Sequence, residues 1–331
     1  MNIESIIPLF NQLSSVDEVC KWLPPVKKKV RRLLLLSDVH ANWHALVAVL
    51  KHARGRFDST WFLGDMLGYG PRPVECLQFL RRGLGRRDHW LSGNHEKGMV
   101  FDTIHPNSNG NGGKRKSWEI QRRLLKEHAP EDWDWLCQNV NGTHSRPVRR
   151  YYGGFCQVFV HNRPEDPYGQ GANVYPDDFL NIRQILDPAC KQLFPDDAAC
   201  RASWIIHGHN HMPAVLRLRP HDGEIEPIKI IYGEPVPITR GAYWIDPGSV
   251  GQPRDGDTRA AYAILDTETA HITYYRVSYN VQAVQTELRR AEYPEDLVEK
   301  LGTGRIRDTL HFDAVYMHLN DGKGIVVRDY C

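Results

Sequence analysis

A chain of 331 residues with 41% hydrophobic and 25% charged side chains is long enough for one large core or two ordinary ones, and its composition excludes wholesale disorder. The net charge of +2 is small for this length, which excludes capture of nucleic acid by overall charge and leaves only local basic patches open. The seven cysteines (Cys20, Cys76, Cys137, Cys156, Cys190, Cys200 and Cys331) are scattered without a C-x-x-C pair, so they read as reduced thiols rather than a disulfide framework.

Residues 1–30 read as one short amphipathic helix, a break at Pro24-Pro25, and a basic run of Lys27, Lys28, Lys29, Arg31 and Arg32. That run is read as a solvated linker in preference to a phosphate-binding patch. The segment has no basic n-region followed by a small-residue cleavage site, so a signal peptide is not expected. The longest apolar run, Leu33–Leu36, is far too short to cross a bilayer. A cytoplasmic protein without membrane association is the expectation.

From residue 32 the pattern becomes regular. Arg32–Asp38 reads as a strand buried on both faces, and Asn42 as the N-cap of a helix over residues 43–54. Ser59–Asp65 reads as a strand, Pro73–Arg82 as a helix and His89–Gly93 as a third strand. The Asn- and Gly-rich stretch 97–115 reads as a loop, followed by helices Ser117–His128 and Glu131–Val140. Strands follow at Gln157–His161, Ser203–His207, Ala214–Arg219, Glu226–Tyr232, Ala242–Asp246, Ala261–Asp266 and His271–Ser278, then a helix over Val281–Ala291. Strand–helix alternation of this kind predicts an α/β fold with a parallel or mixed sheet covered by helices.

The side chains suited to metals fall at the carboxyl ends of these strands. Asp38 and His40 follow the first, Asp65 the second, Asn94 and His95 the third, His161 the fourth, and His209 and His211 the fifth. Open α/β sheets bind ligands beyond the carboxyl ends of their strands. Each residue alone has a structural explanation, such as a cap or a turn. Together they would leave many polar groups buried without partners, which is costly unless something is bound there. Imidazole and carboxylate suit Mn, Fe, Zn or Ni better than Ca.

The segments SDVHAN (37–42), GDMLGYGP (64–71), GNHE (93–96), His161 and GHNH (208–211) resemble, in order and spacing, the five-part signature of calcineurin-like metallophosphoesterases. GDMLGYGP together with PGSVGQPR (247–254) resembles the small bacterial YfcE/DevT-type members in particular. The resemblance spans roughly residues 32–279, leaving an N-terminal extension (1–31) and a C-terminal extension (280–331). It implies a four-layer αββα sandwich of two mixed sheets flanked by helices. It also implies two divalent ions, Mn expected and Fe, Ni, Zn or Mg as alternatives. Asp38, His40, Asp65 and His211 would hold one ion and Asp65, Asn94, His161 and His209 the other, with Asp65 bridging. His95 would stand clear of the metals and protonate the leaving oxygen. Two such cations lower the pKa of a bridging water, whose hydroxide attacks the phosphorus in line.

Two departures from the family pattern bear on substrate. His161 is followed by Asn162-Arg163-Pro164 rather than by glycine, and Asp246 stands where Asn is usual. Asn162, Arg163 and Arg254 are the candidate substrate contacts, and for Arg254 a surface turn paired with Asp255 or Asp257 is the competing reading. Tyr69 is read as packing rather than stacking on a base, and His207 as a strand residue rather than a ligand. The loops 97–116 and 162–176 would wall the cleft. Their Lys97, Lys114, Arg115 and Arg163 could recognise a second phosphate or stay solvated. The expected activity is hydrolysis of a small phosphate ester, as a phosphodiesterase that also accepts monoesters, with a protein or nucleotide phosphatase as the alternative. A nuclease or a non-catalytic scaffold stands behind these, nucleic acid is not favoured as a partner, and the oligomeric state is left unassigned.

Overall fold

The structure, a computed structural model, describes residues 13–25, 30–84, 89–102, 112–152, 155–167, 174–186, 203–238 and 241–305. Its elements run α1 (Val16–Cys20), β1 (Arg32–Leu36), α2 (Trp43–Ala53), β2 (Ser59–Phe62), α3 (Pro73–Phe79), α4 (Asn94–Phe101), α5 (Gly112–His128), α6 (Pro130–Asn139), β3 (Val148–Tyr152), β4 (Phe155–Phe159), α7 (Phe179–Leu186), β5 (Ser203–Ile206), β6 (Ala214–Leu218), β7 (Ile225–Pro227), β8 (Pro235–Pro237), β9 (Ala242–Asp246), β10 (Ala260–Asp266), β11 (His271–Val277), α8 (Val281–Arg290) and α9 (Glu295–Thr303).

The strands form two sheets, ordered β2-β1-β10-β11-β8 and β3-β4-β5-β9-β6-β7. β1 and β2 are parallel in the first, and β4, β5 and β9 are parallel in the second, while the remaining pairs are antiparallel. Both sheets are therefore mixed. The period of two along a strand sorts the side chains between layers. Leu33 and Leu35 point between the sheets, where they pack with Trp204, Ile206, Ile245 and Tyr274. Leu34 and Leu36 point the other way, into a core shared with helices α2, α3, α5 and α6. Helix α7 covers the outer face of the second sheet through Ile182 and Ile185, which pack on Val158, Ile205 and Trp244. The result is the four-layer αββα sandwich. Among the described residues no helix is long and apolar enough to cross a membrane.

Several local expectations need correction. The third strand shrinks to a single bridge between Phe62 and Trp90, because Gly93 starts helix α4 directly afterwards. Within the stretch expected as a loop from residue 97, the described residues are helical at both ends: α4 runs to Phe101, Asp102 turns left-handed and stops it, and α5 begins at Gly112. Gly98, within that stretch, is required for contact, since a Cβ on it would overlap the Trp118 indole. The strand expected at Glu226–Tyr232 ends at Pro227, and β8 forms later at Pro235–Pro237. Strand β3 and helices α7 and α9 were not anticipated. The basic run Lys27–Lys29, much of the 97–116 and 162–176 loops, and Cys190, Cys200 and Cys331 lie outside the described residues. Cys20, Cys76, Cys137 and Cys156 are not joined in disulfides.

Helices α8 and α9 close one side of the sandwich mouth. Val284, Leu288, Leu297, Val298 and Leu301 cluster with Ile120 of α5, and Tyr69 leans on that cluster. Glu287 of α8 takes two hydrogen bonds of 2.7 Å from Arg72 and approaches His44 Nε2 to 3.0 Å. This latch ties the C-terminal helices to the loop that follows β2.

Candidate metal centre

The seven expected ligands lie on one rim, six of them after β1, β2, β4 and β5 and Asn94 at the start of α4, and all but Asn94 are completely or nearly buried. Asp38, His40, Asp65, His161, His209 and His211 are each no more than 8% exposed. Asp38, His40 and His211 offer atoms within 4.8 Å of one another, as do Asp65, His161 and His209, and as do His40, Asp65 and His95. Asp65 Oδ2 lies between the first two sets, 3.8 Å from His40 Nε2 and 3.4 Å from His161 Nε2. Asp38 Oδ1 is 3.2 Å from His211 Nε2, and Asn94 Oδ1 is 3.3 Å from His161 Nε2 and 3.0 Å from His209 Nδ1.

The backbone holds these side chains at a cost. Asp38, His40, Asp65, His209 and His211 all have positive φ, between 49° and 70°. A left-handed conformation at a residue with a Cβ costs about 1–2 kcal/mol, so such strain persists only where the surroundings impose it. Here the loops interlock: Asp38 N–H donates to Gly64 O, His40 N–H to Asp65 O and Gly208 N–H to His161 O, at 2.9–3.0 Å. The segment after β9 adds a second brace. Ser249 Oγ donates to Asp38 O, and Gly251 N–H does the same at 2.9 Å. Glycine is required at 251 because a Cβ there would overlap the Val39 carbonyl.

Three imidazoles are oriented by carbonyls on their far side. Nδ1 of His40, His161 and His211 sits 3.0, 2.8 and 2.6 Å from Leu67 O, Leu63 O and Gln252 O. Donation from Nδ1 leaves each Nε2 as a lone pair facing inward, the arrangement a metal ligand needs. The inward atoms are then almost all acceptors: imidazole nitrogens, carboxylate oxygens and an amide oxygen. Asp38 Oδ1 is buried without a hydrogen-bond partner. Acceptors converging in a buried space without donors between them fit a pair of cations, and the nitrogen and oxygen donor set suits divalent transition metals.

The electrostatics divide the imidazoles. Burial pushes His40 down to about 3, so its lone pair is free at neutral pH. Burial also opposes charge on His161, but Asp65 beside it prevails and lifts it to about 9, so without metal His161 holds a proton toward Asp65 that a bound cation would displace. Burial would raise Asp65, yet the surrounding histidines, His161 foremost, hold it well below the usual carboxylate range. The carboxylates thus seek positive charge in this space.

His95 has a different environment. Its backbone N–H donates to Asp65 Oδ1, and its ring lies edge-on to His40 and Tyr69. The Trp118 indole N–H donates to His95 Nδ1 at 3.0 Å. An indole nitrogen can only donate, so Nδ1 is the bare nitrogen and the ring proton is on Nε2. Burial and the nearby Lys114 push His95 well below its ordinary value, which keeps the ring neutral.

Three residues shape this site that the sequence reading did not single out. Glu96 lies in the quoted GNHE segment, at the N3 spacing of a capping box that could have flagged it. Its carboxylate accepts from Asp65 N–H (3.0 Å), Leu67 N–H (2.8 Å) and Gly93 N–H (2.8 Å), tying the loops that carry Asp65 and Asn94 together. Gln121 and Trp118, three residues apart on α5, hold the Gly68–Gly70 turn and His95 respectively, and no local pattern announces them.

The remaining candidates separate. Arg254 lies in the field of His40, His211 and Lys114. Its Nε is buried without a partner, while Asp255 and Asp257 are taken by Arg276 and Arg259. Asn162 and Arg163 are both drawn into the turn at 162–167 through bonds to Asp166 and Pro167, with Asn162 Oδ1 and Arg163 Nε left unpaired. His207 packs on Trp244, 3.9 Å from Asp246, outside the ligand cluster. Tyr69 packs between His40 and the C-terminal helices.

Residues 31–213 match the family model described as calcineurin-like phosphoesterase. A metallophosphoesterase of known crystal structure from Sphaerobacter thermophilus is 31% identical, with a TM-score of 0.63 over 83% of this chain and 100% of that one. An uncharacterised protein of Methanocaldococcus jannaschii is 29% identical over 280 residues, 82% of this chain and 98% of that protein. The symmetrical bis(5'-nucleosyl)-tetraphosphatase of Psychromonas ingrahamii is 28% identical over 153 residues, 45% of this chain and 51% of that protein. Fold, site and relatives define a phosphoric ester hydrolase. The chain belongs to the calcineurin-like phosphoesterase family, whose members bind divalent metals.

Proposed function

We propose that residues 32–279 form a dinuclear phosphoesterase unit acting on small phosphate esters. Asp38, His40, Asp65 and His211 would hold one divalent ion and Asp65, Asn94, His161 and His209 the other. The observation that carries this reading is the buried convergence of acceptors with Asp65 Oδ2 between the two sets. When bound, the ion pair supplies an activated water and neutralises the phosphoryl oxygens. The protein's own side chains then orient the ester. Arg254, whose guanidinium Nε is unpaired and whose charge acts on His40, His211 and Lys114, would take a phosphoryl oxygen, with Asn162 and Arg163 next to His161 in the chain as further contacts. His95 presents Nε2–H to the leaving oxygen. Full transfer of a proton, as expected from the family signature, would require Nδ1 to gain one and to surrender the Trp118 hydrogen bond. A fixed hydrogen-bond donor to the developing charge is therefore the role we assign to it.

Diesters and monoesters are both in scope, and Mn is the metal to try first. Cleavage of a phosphoanhydride is a second reading, favoured by the bis(5'-nucleosyl)-tetraphosphatase relative. A nuclease is disfavoured by charge pairing: Arg81, Arg82, Arg115 and Arg122 are engaged by Asp132, Asp17, Glu119 and Asp102. The test is hydrolysis of bis-p-nitrophenyl phosphate and p-nitrophenyl phosphate by chelated protein reconstituted with Mn, Ni, Mg or Zn. Metal-dependent turnover with two ions per chain supports the reading. No turnover of either ester with two bound ions overturns it.

A further inference from the structure

Of the four basic residues expected along the cleft loops, the structure singles out Lys114. Arg115 pairs with Glu119, Lys97 faces Asp166 and Arg163 is built into its turn. Lys114 sits in the first turn of α5, half-buried, its Nζ 5.0 Å above the Trp118 ring. The charges it feels most are Asp65, which attracts it, and Arg254, which repels it across the site. Lys114 forms no salt bridge among the described residues.

Its one polar partner is conditional. The Asn94 amide can sit two ways. With its oxygen outward, it accepts from Lys114 Nζ at 2.8 Å, and the NH2 group faces His161 Nε2, His209 Nδ1 and Asp65 Oδ2. An amide ligates a divalent ion through oxygen, not through NH2. Ligation therefore requires the oxygen inward, which sets the NH2 group against the lysine ammonium, donor facing donor. Ligation by Asn94 and the Lys114–Asn94 hydrogen bond exclude one another. A half-buried ammonium deprived of its acceptor must find another, and the open side is where the ester binds. Two divalent ions also outweigh the carboxylates of Asp38 and Asp65, and Lys114 and Arg254 add to that excess. A singly charged diester leaves the excess largely uncompensated, whereas a doubly or more highly charged phosphate compensates it.

Building on the dinuclear reading above, we propose that Lys114 is a specificity-determining residue. Loading of the metal centre frees it to hold a second anionic oxygen, that of a phosphomonoester dianion or of the next phosphate in a polyphosphate chain. The enzyme is thereby biased toward substrates with two or more negative charges and away from simple diesters.

The test compares the full-length wild type with Lys114→Met and Lys114→Arg, each loaded with metal and assayed for metal content. Two readouts are taken: kcat/KM for p-nitrophenyl phosphate and for bis-p-nitrophenyl phosphate, and the affinity for inorganic pyrophosphate by calorimetry. In Lys114→Met the monoester-to-diester ratio of kcat/KM should fall roughly tenfold, the scale of one charge-assisted hydrogen bond. Pyrophosphate binding should weaken by a similar factor with two ions retained, and Lys114→Arg should recover most of both. An equal fall for the two esters overturns the proposal. So does unchanged pyrophosphate affinity, or loss of the ions in Lys114→Met. If the wild type hydrolyses neither ester with two ions bound, the dinuclear phosphoesterase reading fails on its own, and the pyrophosphate comparison still decides the role of Lys114.

Discussion

Glu96 offers the most direct test of how the metal loops are held. Its carboxylate accepts three backbone N–H groups, from Asp65, Leu67 and Gly93, and is 1% exposed. Glu96→Ala orphans all three, and each buried donor left unmade costs about 1–3 kcal/mol. Part of that is returned, because burial makes the carboxylate reluctant to ionise and lifts it to about 7. Netting the two, metal-free Glu96→Ala should lose about 3 kcal/mol of stability, a large share of a typical domain's margin. Urea unfolding of the apo proteins measures this. The same variant should bind metal more weakly, since the loops carrying Asp65 and Asn94 are no longer tied. Glu96→Gln should recover only part, because its NH2 group must face at least one of the three N–H donors. A loss under about 1 kcal/mol with full two-ion occupancy would show that Glu96 does not brace these loops.

Asp65→Asn should abolish turnover and metal occupancy together, because Asp65 is the one carboxylate between both ligand sets; metal analysis alongside the esterase assay reads both. His95→Ala should retain two ions while kcat falls by roughly 10²–10³, the scale of one preorganised donor to a developing oxyanion. Full activity in that variant would remove His95 from the chemistry. Glu287 governs a different property. Burial would raise its carboxyl, but hydrogen bonds from Arg72 outweigh burial and, with His44, depress it from 4.5 to about 2. A carboxylate depressed in the folded state contributes stability above its unfolded pKa and loses it as pH falls through the folded one. The latch should therefore be intact above about pH 4.5 and weaken toward pH 2. Glu287→Gln should cost about 1.5–3 kcal/mol at pH 7 by removing the charged acceptor of Arg72, which keeps Glu75 as a carboxylate partner, and the gap from wild type should narrow in acid unfolding curves.

Much of the framework was legible because its signals are local. The apolar run at 33–36, the Asn42 cap and the alternation of strands with helices each depend on neighbours a few residues away, and they located β1, α2, β9, β10, β11 and α8 to within a residue or two and β2 to within three. The metal-type residues were legible for the same reason, since a strand end places its side chains on one rim whatever the rest of the chain does. Helix α4 was missed because its start is set by Glu96 reaching two loops, and α7 because its apolar face is defined only by the sheet it covers.

What the sequence by itself determined was the class of chemistry: an ordered series of Asp, His and Asn at strand ends, in a spacing shared by a family. What only the tertiary structure decided was how those groups are tuned. The Trp118 indole on His95, the carboxylate of Glu96 across two loops, the Lys114 ammonium against Asn94 and the α8 latch on Arg72 all join residues distant along the chain or through more than one element. Such contacts leave no periodic trace in sequence, because their partners are chosen by packing in three dimensions and not by the repeat of a helix or strand.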